Sequence, residues 1–171
     1  VIVMMAGLFI NAFSFISLFI FIMAGCLYEF FKILKMIKGE KFIYYLPLAL
    51  LYIVMPLLMM IDLGISENDY SPLFPCGILF SIWINDTMAY LVGSFIGKTP
   101  FSKISPKKTW EGTIGGIILC ILIISLAGYL IPSAKDVRWQ YWMFIAAICA
   151  VFGTAGDLLE SKLKRLAGIK D

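Results

Sequence analysis

Histidine is absent from this sequence and charged residues are scarce. None of the 171 residues is His, and only 15% are Asp, Glu, Lys or Arg. Without an imidazole, this stretch has no His-dependent nucleophile triad and no imidazole metal ligand. Its four cysteines show no paired spacing of the kind that metal or redox sites need. A metal bound here is therefore a hard cation on oxygen ligands, and Mg²⁺ suits carboxylates such as Asp86 and Asp157.

Apolar residues dominate instead, at 61% of the chain with a mean hydropathy of +0.95. A helix needs roughly 18 or more apolar residues to cross the hydrocarbon core of a bilayer, which is about 30 Å thick. We therefore predict an all-α fold, a polytopic integral membrane helical bundle with about five transmembrane helices. The predicted spans are approximately Val1–Gly25, Phe42–Leu63, Leu73–Ile96, Thr113–Ile131 and Tyr141–Leu159.

Basic residues are distributed unevenly over the loops between these spans. From the first loop to the C-terminal tail, the numbers of Lys and Arg are 4, 0, 4, 2 and 4. Since Lys and Arg near span ends are retained on the cytoplasmic side, we predict that loops one and three and the tail face the cytoplasm. The loops from Glu67 to Pro75 and from Pro132 to Gln140 then lie on the far side.

An acidic residue lies inside the third predicted span. Asp86 follows Asn85, and about ten residues, or about 15 Å of helix, separate it from the next basic loop. On a helix Asp86 shares a face with Ala89 and Gly93, where another helix can approach closely. Because intramembrane acids more often line a polar cavity, Asp86 is a candidate site residue. The alternative is a structural carboxylate that pairs with a neighbouring helix.

The third loop, residues 97–112, suits phosphate binding. Ser105 followed by Pro106 predicts an N-cap with proline at the first helical position, which leaves backbone N–H groups free to face an anion. Lys107 and Lys108 would lie in that first turn, where a basic residue is unfavourable for the helix dipole. A role beyond stability is therefore indicated. The alternative is that these lysines hold the inside orientation or contact anionic headgroups.

Charges of both signs follow the fifth predicted span. Positions i+3, i+4, i+7 and i+8 from Asp157 carry acid, hydroxyl and base on one side of a continuing helix. Ionisable groups near hydrocarbon are costly unless paired or bound, so this cluster is a functional-site hypothesis. Helical charge pairing explains part of the pattern but not Asp157 itself. The four positions are Glu160, Ser161, Lys164 and Arg165.

Three motifs between Trp83 and Asp171 carry a family resemblance. In this order they resemble the characteristic stretches of the phosphatidate cytidylyltransferases, also called CDP-diacylglycerol synthases. The chain before Trp83 resembles that family only in hydropathy. The motifs are Asn85-Asp86-Thr87-x-Ala89-Tyr90, Ser105-Pro106-Lys107-Lys108-Thr109-x-Glu111-Gly112 and Ser161-x-Leu163-Lys164-Arg165-x4-Lys170-Asp171.

The resemblance implies an enzyme that joins CTP to phosphatidic acid, with Mg²⁺ at a polar cavity open to the cytoplasm. By this likeness Asp157 is the metal ligand. We expect a multi-pass protein of a bacterial inner membrane that contacts membrane lipid and no nucleic acid. Two questions are left open by the resemblance: whether the protein forms a homodimer, and whether a monovalent cation binds beside the magnesium. The implied catalytic residues are Asp157, Asp86, Lys108, Lys164 and Arg165, and the implied substrate-binding residues are Asn85, Ser105, Lys107, Thr109, Glu111, Ser161, Lys170 and Asp171.

The same resemblance divides the chain into two parts. Residues 1–72 are expected to be an accessory, packing part, and residues 73–171 a catalytic part with the basic loop and a cytoplasmic C-terminal helix. The family signature continues beyond Asp171 into a segment with glycine, histidine and further aspartates. Because the chain also begins at Val1 without methionine, we expect it to be a fragment. If the later residues are truly absent, the metal site is incomplete and this polypeptide is inactive.

Several roles and two other function classes stay open. Asp86 binds metal, orients a lysine or holds a water network, whereas Glu111 pairs with Lys107 or Lys108 or contacts nucleotide. A secondary transporter of anionic solutes also buries charge in broken helices, but here the charges crowd towards one face and no halves repeat. Another phospholipid or polyprenyl-phosphate transferase would share the hard-metal chemistry. Measuring whether CTP or other nucleotide donors compete for binding distinguishes this last alternative from a phosphatidate cytidylyltransferase.

Overall fold

The computed structural model describes residues 2–66, 69–102, 105 and 107–169. It divides into two compact units, one of Cys76–Arg165 and one of residues 1–75 with the end of the chain from Leu166. In chain order the helices and strands are α1 (Ile2–Phe9), α2 (Ala12–Lys38), α3 (Leu46–Ala49), α4 (Met55–Gly64), β1 (Ile65–Ser66), β2 (Asp69–Tyr70), α5 (Leu73–Ile96), α6 (Trp110–Leu130) and α7 (Trp139–Leu166).

The first unit opens with two helices rather than one. A capping box starts α2: Asn11 Oδ1 accepts a hydrogen bond from Ser14 N (2.8 Å), and Ser14 Oγ accepts one from Asn11 N (3.2 Å). The predicted span Val1–Gly25 is therefore interrupted at Asn11, and α2 continues to Lys38. This corrects the boundaries of the first predicted span.

The chain turns after α2 and returns along it. Gly39, with a φ of 58°, follows the last residue of α2, and this left-handed backbone favours glycine. A 3₁₀ helix, Gly39–Tyr45, leads into helical backbone that continues to Gly64, and α4 packs against α2. A π turn at Leu50–Val54 comes just before Pro56, where a wider turn accommodates a ring that has no N–H to donate.

Two short strands complete this unit. β1 and β2 are antiparallel, with Ile65 opposite Tyr70. The Tyr70 hydroxyl donates a hydrogen bond to the Leu8 carbonyl oxygen, and its ring packs 5.2 Å from that of Phe15. Phe15 is fully buried, and its ring also packs against that of Phe19 in a tilted arrangement. The core of the first unit is thus aromatic and joins α2 to the strands.

In the second unit α5 and α6 meet backbone to backbone. A Cβ on Gly112 would lie 2.7 Å from Ala89 O and 2.9 Å from Gly93 Cα, and a Cβ on Gly116 would lie 2.8 Å from Ala89 N. Only glycine permits such an approach, which confirms that these small residues mark a helix contact. Cys120 Sγ donates to the Ser81 carbonyl oxygen (3.1 Å) further along the same seam.

A tryptophan near the start of α7 fixes the other end of this unit. The ring of Trp142 is 3% exposed and fills the space beside Gly77 of α5 and Gly128 of α6. Its Nε1 donates to the carbonyl oxygen of Ala134 (3.4 Å), in the turn between α6 and α7. One aromatic side chain therefore joins all three long helices of the second unit.

The described residues contain four runs that are long and apolar enough to cross a membrane. The first, Ala12–Gly64, has 53 residues and includes the turn at Gly39, so it holds more than one span of about 20 residues. Large apolar side chains are exposed along the runs, such as Phe95 at 83% and Phe152 at 70%. The chain is a helical integral membrane protein, as predicted, and the count of about five spans is approximate. The other three runs are Leu73–Ile96, Trp110–Leu130 and Trp139–Leu166.

Candidate active site

An ion pair joins the basic loop to the last helix. Lys108 Nζ donates to Asp157 Oδ2, although 49 residues separate the two in sequence. The side chains are 30% and 47% exposed, so both remain reachable from outside the unit. Two of the residues implied as catalytic, one from the second motif and one beside the third, are thus brought together.

Asp86 belongs to the same cluster. It lies on α5 and interacts electrostatically with both Lys108 and Asp157. One ammonium group therefore contacts the Asp157 carboxylate and lies within electrostatic reach of the Asp86 carboxylate, and the three groups come from α5, α7 and the loop before α6. Since the lysine carries one positive charge against two negative charges, the cluster is suited to accept a further cation.

The two ends of the basic loop, residues 99–101 and 108–110, pair with each other through backbone hydrogen bonds, and we call these paired ends the hairpin. Pro100 and Thr109 form an antiparallel bridge, and Phe101 N donates to the Lys108 carbonyl oxygen (2.7 Å) while Trp110 N donates to the Thr99 carbonyl oxygen (3.0 Å). The rings of Phe101 and Trp110 pack edge to face at 4.4 Å. Lys108 is therefore presented from a hydrogen-bonded segment, which limits the positions that its ammonium group can reach.

Glu111 clamps the base of this hairpin. Its carboxylate accepts hydrogen bonds from Lys98 N (3.2 Å), Thr99 N (3.1 Å) and Thr99 Oγ1 (2.8 Å). Both interpretations offered from sequence, pairing with a lysine one turn away and contact with nucleotide, overlooked these partners. Among the described residues the Glu111 carboxylate binds the start of the loop rather than Lys107 or Lys108. Glu111 is thus a positioning residue for the hairpin.

The start of α6 differs from the prediction. Thr109 is the N-cap, and its hydroxyl accepts from Gly112 N (3.1 Å). The helix does not begin at Ser105, whose carbonyl oxygen accepts from Lys108 N (3.1 Å). Proline after a serine suits the second position of a β-turn as well as the first turn of a helix, so the sequence could not distinguish them. Lys107 is exposed and lies before α6 rather than in its first turn.

Asn85 lies between helices instead of at an open surface. It is 2% exposed, and its Nδ2 donates to Thr154 Oγ1 of α7 (3.3 Å). Asn85 Oδ1 has no hydrogen-bond partner within the described residues. The Thr154 hydroxyl in turn donates to the Ala150 carbonyl oxygen (2.8 Å). This places the amide one residue away from Asp86 but inside the α5–α7 contact.

The charged end of α7 is helical up to Leu166, as the spacing from Asp157 predicted. Lys164 Nζ forms an ion pair with Glu160 Oε1 one helical turn earlier (2.9 Å), which is the helical pairing foreseen as a partial explanation. Arg165 is exposed and Ser161 is half-buried. The last two residues implied as substrate-binding, Lys170 and Asp171, lie outside the described residues.

The residues present fit a magnesium ion. Asp86 and Asp157 offer hard oxygen ligands that interact electrostatically with each other, and Mg²⁺ usually takes only one or two protein carboxylates, with waters and substrate phosphates completing its shell. Across residues 2–66, 69–102, 105 and 107–169, no group of three or more acidic, Cys or His side chains gathers as a metal site. Phosphate oxygens and water would therefore supply most ligands.

Two features of the site were missed from sequence. The acceptor role of Glu111 had no signal, because its partners Lys98 and Thr99 precede it by more than ten residues. The contact of Asn85 with Thr154 was also missed, although a threonine on an otherwise apolar helix face is a signal for a buried hydrogen bond.

Comparison with known proteins points to one family. The model described as "Cytidylyltransferase family" matches residues 46–171. A phosphatidate cytidylyltransferase of Aquifex aeolicus is 32% identical over 145 residues, which cover 84% of this chain and 49% of the relative. No solved structure matches the chain.

Shorter matches are more similar. The chloroplastic phosphatidate cytidylyltransferase 4 of Arabidopsis thaliana is 44% identical over 90 residues, covering 50% of this chain and 22% of the relative. The phosphatidate cytidylyltransferase of Bacillus subtilis is 37% identical over 91 residues, covering 53% and 33%. The chain thus spans about half or less of the length of these relatives.

Proposed function

Since the chain belongs to the cytidylyltransferase family, we propose that it forms the nucleotide-transferring part of a phosphatidate cytidylyltransferase. The reaction takes CTP and phosphatidic acid and yields CDP-diacylglycerol and pyrophosphate. The observation that carries the proposal is the contact of Lys108 with Asp157 beside Asp86, because it unites chemistry-bearing residues from three separate segments.

The transfer needs no nucleophile from the protein. A phosphate oxygen of phosphatidic acid attacks the α-phosphorus of CTP, and the bond from that phosphorus to the bridging oxygen breaks, so that pyrophosphate leaves with the electron pair. Catalysis of such a step rests on positioning and charge neutralisation. Lys108 supplies a cation on a hydrogen-bonded hairpin, and Lys107, Lys164 and Arg165 are the other cations assigned to phosphates.

Asp157 and Asp86 would hold the Mg²⁺. When bound, this ion supplies charge stabilisation for the phosphate groups. Without it the two carboxylates would repel those groups, and Lys108 offsets part of that repulsion by pairing with Asp157. The hairpin clamp at Glu111 keeps the ammonium group beside the carboxylates and available to a phosphate.

The membrane arrangement follows from the same residues. We place the loop of residues 97–112 and the charged end of α7 on the cytoplasmic face of a bacterial inner membrane, because their Lys and Arg residues favour that side. CTP would then enter from the cytoplasm and phosphatidic acid sideways from the inner leaflet. Nucleic acid has no part in this scheme.

The test uses purified protein that includes all residues following Asp171 in its parent. It is reconstituted with phosphatidic acid, Mg²⁺ and labelled CTP. We expect CDP-diacylglycerol and pyrophosphate in equal amounts. Excess unlabelled CTP should reduce the amount of labelled product, whereas sugar nucleotides should not. No turnover under these conditions would overturn the proposal.

Two results would favour the other function classes. Binding of sugar nucleotides or CDP-alcohol donors in competition assays, without binding of CTP, would indicate another phospholipid or polyprenyl-phosphate transferase. Uptake of an anionic solute into proteoliposomes without CTP would indicate a transporter. Product that forms only when CTP and phosphatidic acid are both present separates the proposed enzyme from each of them.

A further inference from the structure

Two neighbouring cavities, both grooves open to the surface, lie at the end of the second unit where α6 turns into α7. The larger, about 640 Å³, is lined by residues of the turn that include Lys135, Arg138 and Gln140. The smaller, about 340 Å³, is lined by Ser125 and Leu126 of α6. Tyr129 and Trp139 line both cavities, so the two share an aromatic wall.

The cavities differ in chemistry along the axis of α6. Leu126 and Ser125 precede Tyr129 by three and four residues, so the smaller cavity lies one helical turn deeper than the larger one. The deeper wall is uncharged and mainly apolar and aromatic, whereas the shallower one carries two cations and an amide. This polarity gradient matches a molecule with an anionic head and an apolar tail.

The two cations are available to a ligand. Lys135 and Arg138 are both exposed, and over the part of the chain that the structure describes neither lies within ion-pair distance of a carboxylate. Arg presents a planar fork of donors that matches a phosphate group, and Lys adds a point charge. Both basic residues are therefore free to bind a phosphate diester.

The backbone that carries these cations is held in place. Lys135 N donates to the Pro132 carbonyl oxygen (3.3 Å), and the Arg138 carbonyl oxygen accepts from Tyr141 N (2.9 Å). Trp142 also stabilises the turn, because its Nε1 donates a hydrogen bond to the Ala134 carbonyl oxygen. A site on such a fixed turn loses less conformational entropy on binding than one on a free loop.

The position of the cavities agrees with a membrane interface. α6 has 21 residues and thus a length of about 30 Å, close to the thickness of the hydrocarbon core. Lys108 precedes its first residue, so the cavities lie at the opposite interface from the ion pair with Asp157. Tyr and Trp are enriched at interfaces. Two basic residues in a loop assigned to the far side run against the positive-inside preference, which indicates a function other than orientation.

We propose that this double cavity, formed by Ser125, Leu126, Tyr129, Lys135, Arg138 and Trp139, binds an anionic phospholipid from the leaflet opposite the catalytic cluster. The phosphate diester of the headgroup contacts Lys135 and Arg138, and an acyl chain packs on Leu126 between Tyr129 and Trp139. The ligand is a bound lipid rather than a substrate, and its site is separate from the Lys108–Asp157 cluster.

The experiment counts lipids retained on the purified protein by native mass spectrometry in uncharged detergent. Short-chain phosphatidylglycerol, phosphatidylcholine of the same chain length and inorganic phosphate are titrated separately. The variants are Lys135→Gln/Arg138→Gln, which keeps size but removes charge, and Leu126→Trp, which fills the deeper cavity. The matched control is Lys35→Gln/Lys41→Gln, two exposed lysines of the first loop. Circular dichroism verifies that each variant is folded.

We expect the wild type and the control to retain one more phosphatidylglycerol than the double variant. The affinity of the double variant for that lipid should fall by about 30-fold, since each basic residue near an anionic headgroup contributes about 1 kcal/mol. Leu126→Trp should weaken phosphatidylglycerol binding, because it fills the cavity that takes the acyl chain. Phosphatidylcholine should bind more weakly than phosphatidylglycerol.

Three results would overturn the proposal. Equal lipid retention by the wild type and the folded double variant would show that Lys135 and Arg138 do not bind the headgroup. Unchanged lipid affinity in folded Leu126→Trp would show that no acyl chain occupies the deeper cavity. Displacement of the lipid by millimolar inorganic phosphate would identify the ligand as a free anion. Each readout is independent of catalysis, so failure of the proposed enzymatic function would not affect it.

Discussion

The substitution Lys108→Met tests whether the ion pair between Lys108 and Asp157 has a catalytic or a structural role. The substitution removes the charge that binds Asp157 and keeps a side chain of similar length. Because the partners are 30% and 47% exposed, solvent screens their attraction, and exposed pairs contribute about 0.2–1 kcal/mol to stability. We therefore expect Lys108→Met to lower the free energy of unfolding by about 0.5 kcal/mol.

The expected effect on turnover is much larger. Loss of one preorganised charged contact to a reacting group costs about 10²–10³ in kcat. Asp157→Asn should likewise abolish CTP-dependent product, because an amide neither balances Lys108 nor supplies an anionic oxygen to a metal. The double variant should be little worse than either single variant, since residues that act as one unit are not additive in their effects.

The assay measures two quantities on the same preparations. Formation of CDP-diacylglycerol from labelled CTP gives kcat and KM, and thermal unfolding in detergent gives the stability. Asp136→Asn, an exposed acid in the turn between α6 and α7, is the matched control for Asp157→Asn and should change neither quantity. Activity is expressed per folded molecule.

An exchange of charges supplies the result that would refute this reasoning. In Lys108→Asp/Asp157→Lys the ion pair can re-form with its partners reversed, so a purely structural role predicts recovery of activity. A role in binding phosphate or metal predicts no recovery, because each charge then stands in the wrong place. Recovery to near wild-type turnover, or near-normal turnover in Lys108→Met, would contradict the catalytic assignment.

Three further substitutions test how the site is held. Glu111→Ala should raise the KM for CTP several-fold and speed tryptic cleavage of the basic loop, because the hairpin loses its acceptor; unchanged cleavage would contradict the clamp. Gly116→Ala should destabilise the protein by about 1–3 kcal/mol in thermal unfolding, since the helices must separate, whereas Gly25→Ala, which meets nothing within 4 Å, should not; equal effects would refute the packing argument. Thr154→Val should cost about 1–3 kcal/mol by leaving the Asn85 amide unpaired, and Thr154→Ser should retain full stability; equal loss in both would exclude the hydrogen bond.

Long apolar runs were readable from the sequence because hydropathy reports them directly. The predicted span Leu73–Ile96 coincides with α5, where Pro72 and Gly97 bound a predominantly apolar stretch. The break at Asn11 was missed, since one polar residue hardly changes an average over twenty. The fifth apolar span ends near Leu159, and the continuation of α7 to Leu166 was predicted from the spacing of charged residues after Asp157, because hydropathy alone records where apolar composition stops and not where the helix stops.

The composition of the site could be predicted, but its geometry could not. Charge and spacing indicated Asp86, Lys108 and Asp157 one by one. Their meeting depends on how α5, α6 and α7 pack, which is fixed by contacts such as that of Gly116 with Ala89. Ser105 was given the N-cap that Thr109 holds, because two hydroxyl residues near one helix start have similar capping preferences.

The glycine seam between α5 and α6 leaves no room for a lipid between these two helices. With Gly112 and Gly116 in contact with the main chain of Ala89, no side chain can rotate aside to open a passage between these helices. Gly156 of α7 is different, because a Cβ there would meet nothing within 4 Å in the portion of the chain that the structure describes. Under the proposed function, a bulky residue at Gly156, one residue from Asp157, would fit without a clash and would probe whether a diacyl substrate approaches the cluster along this side of α7.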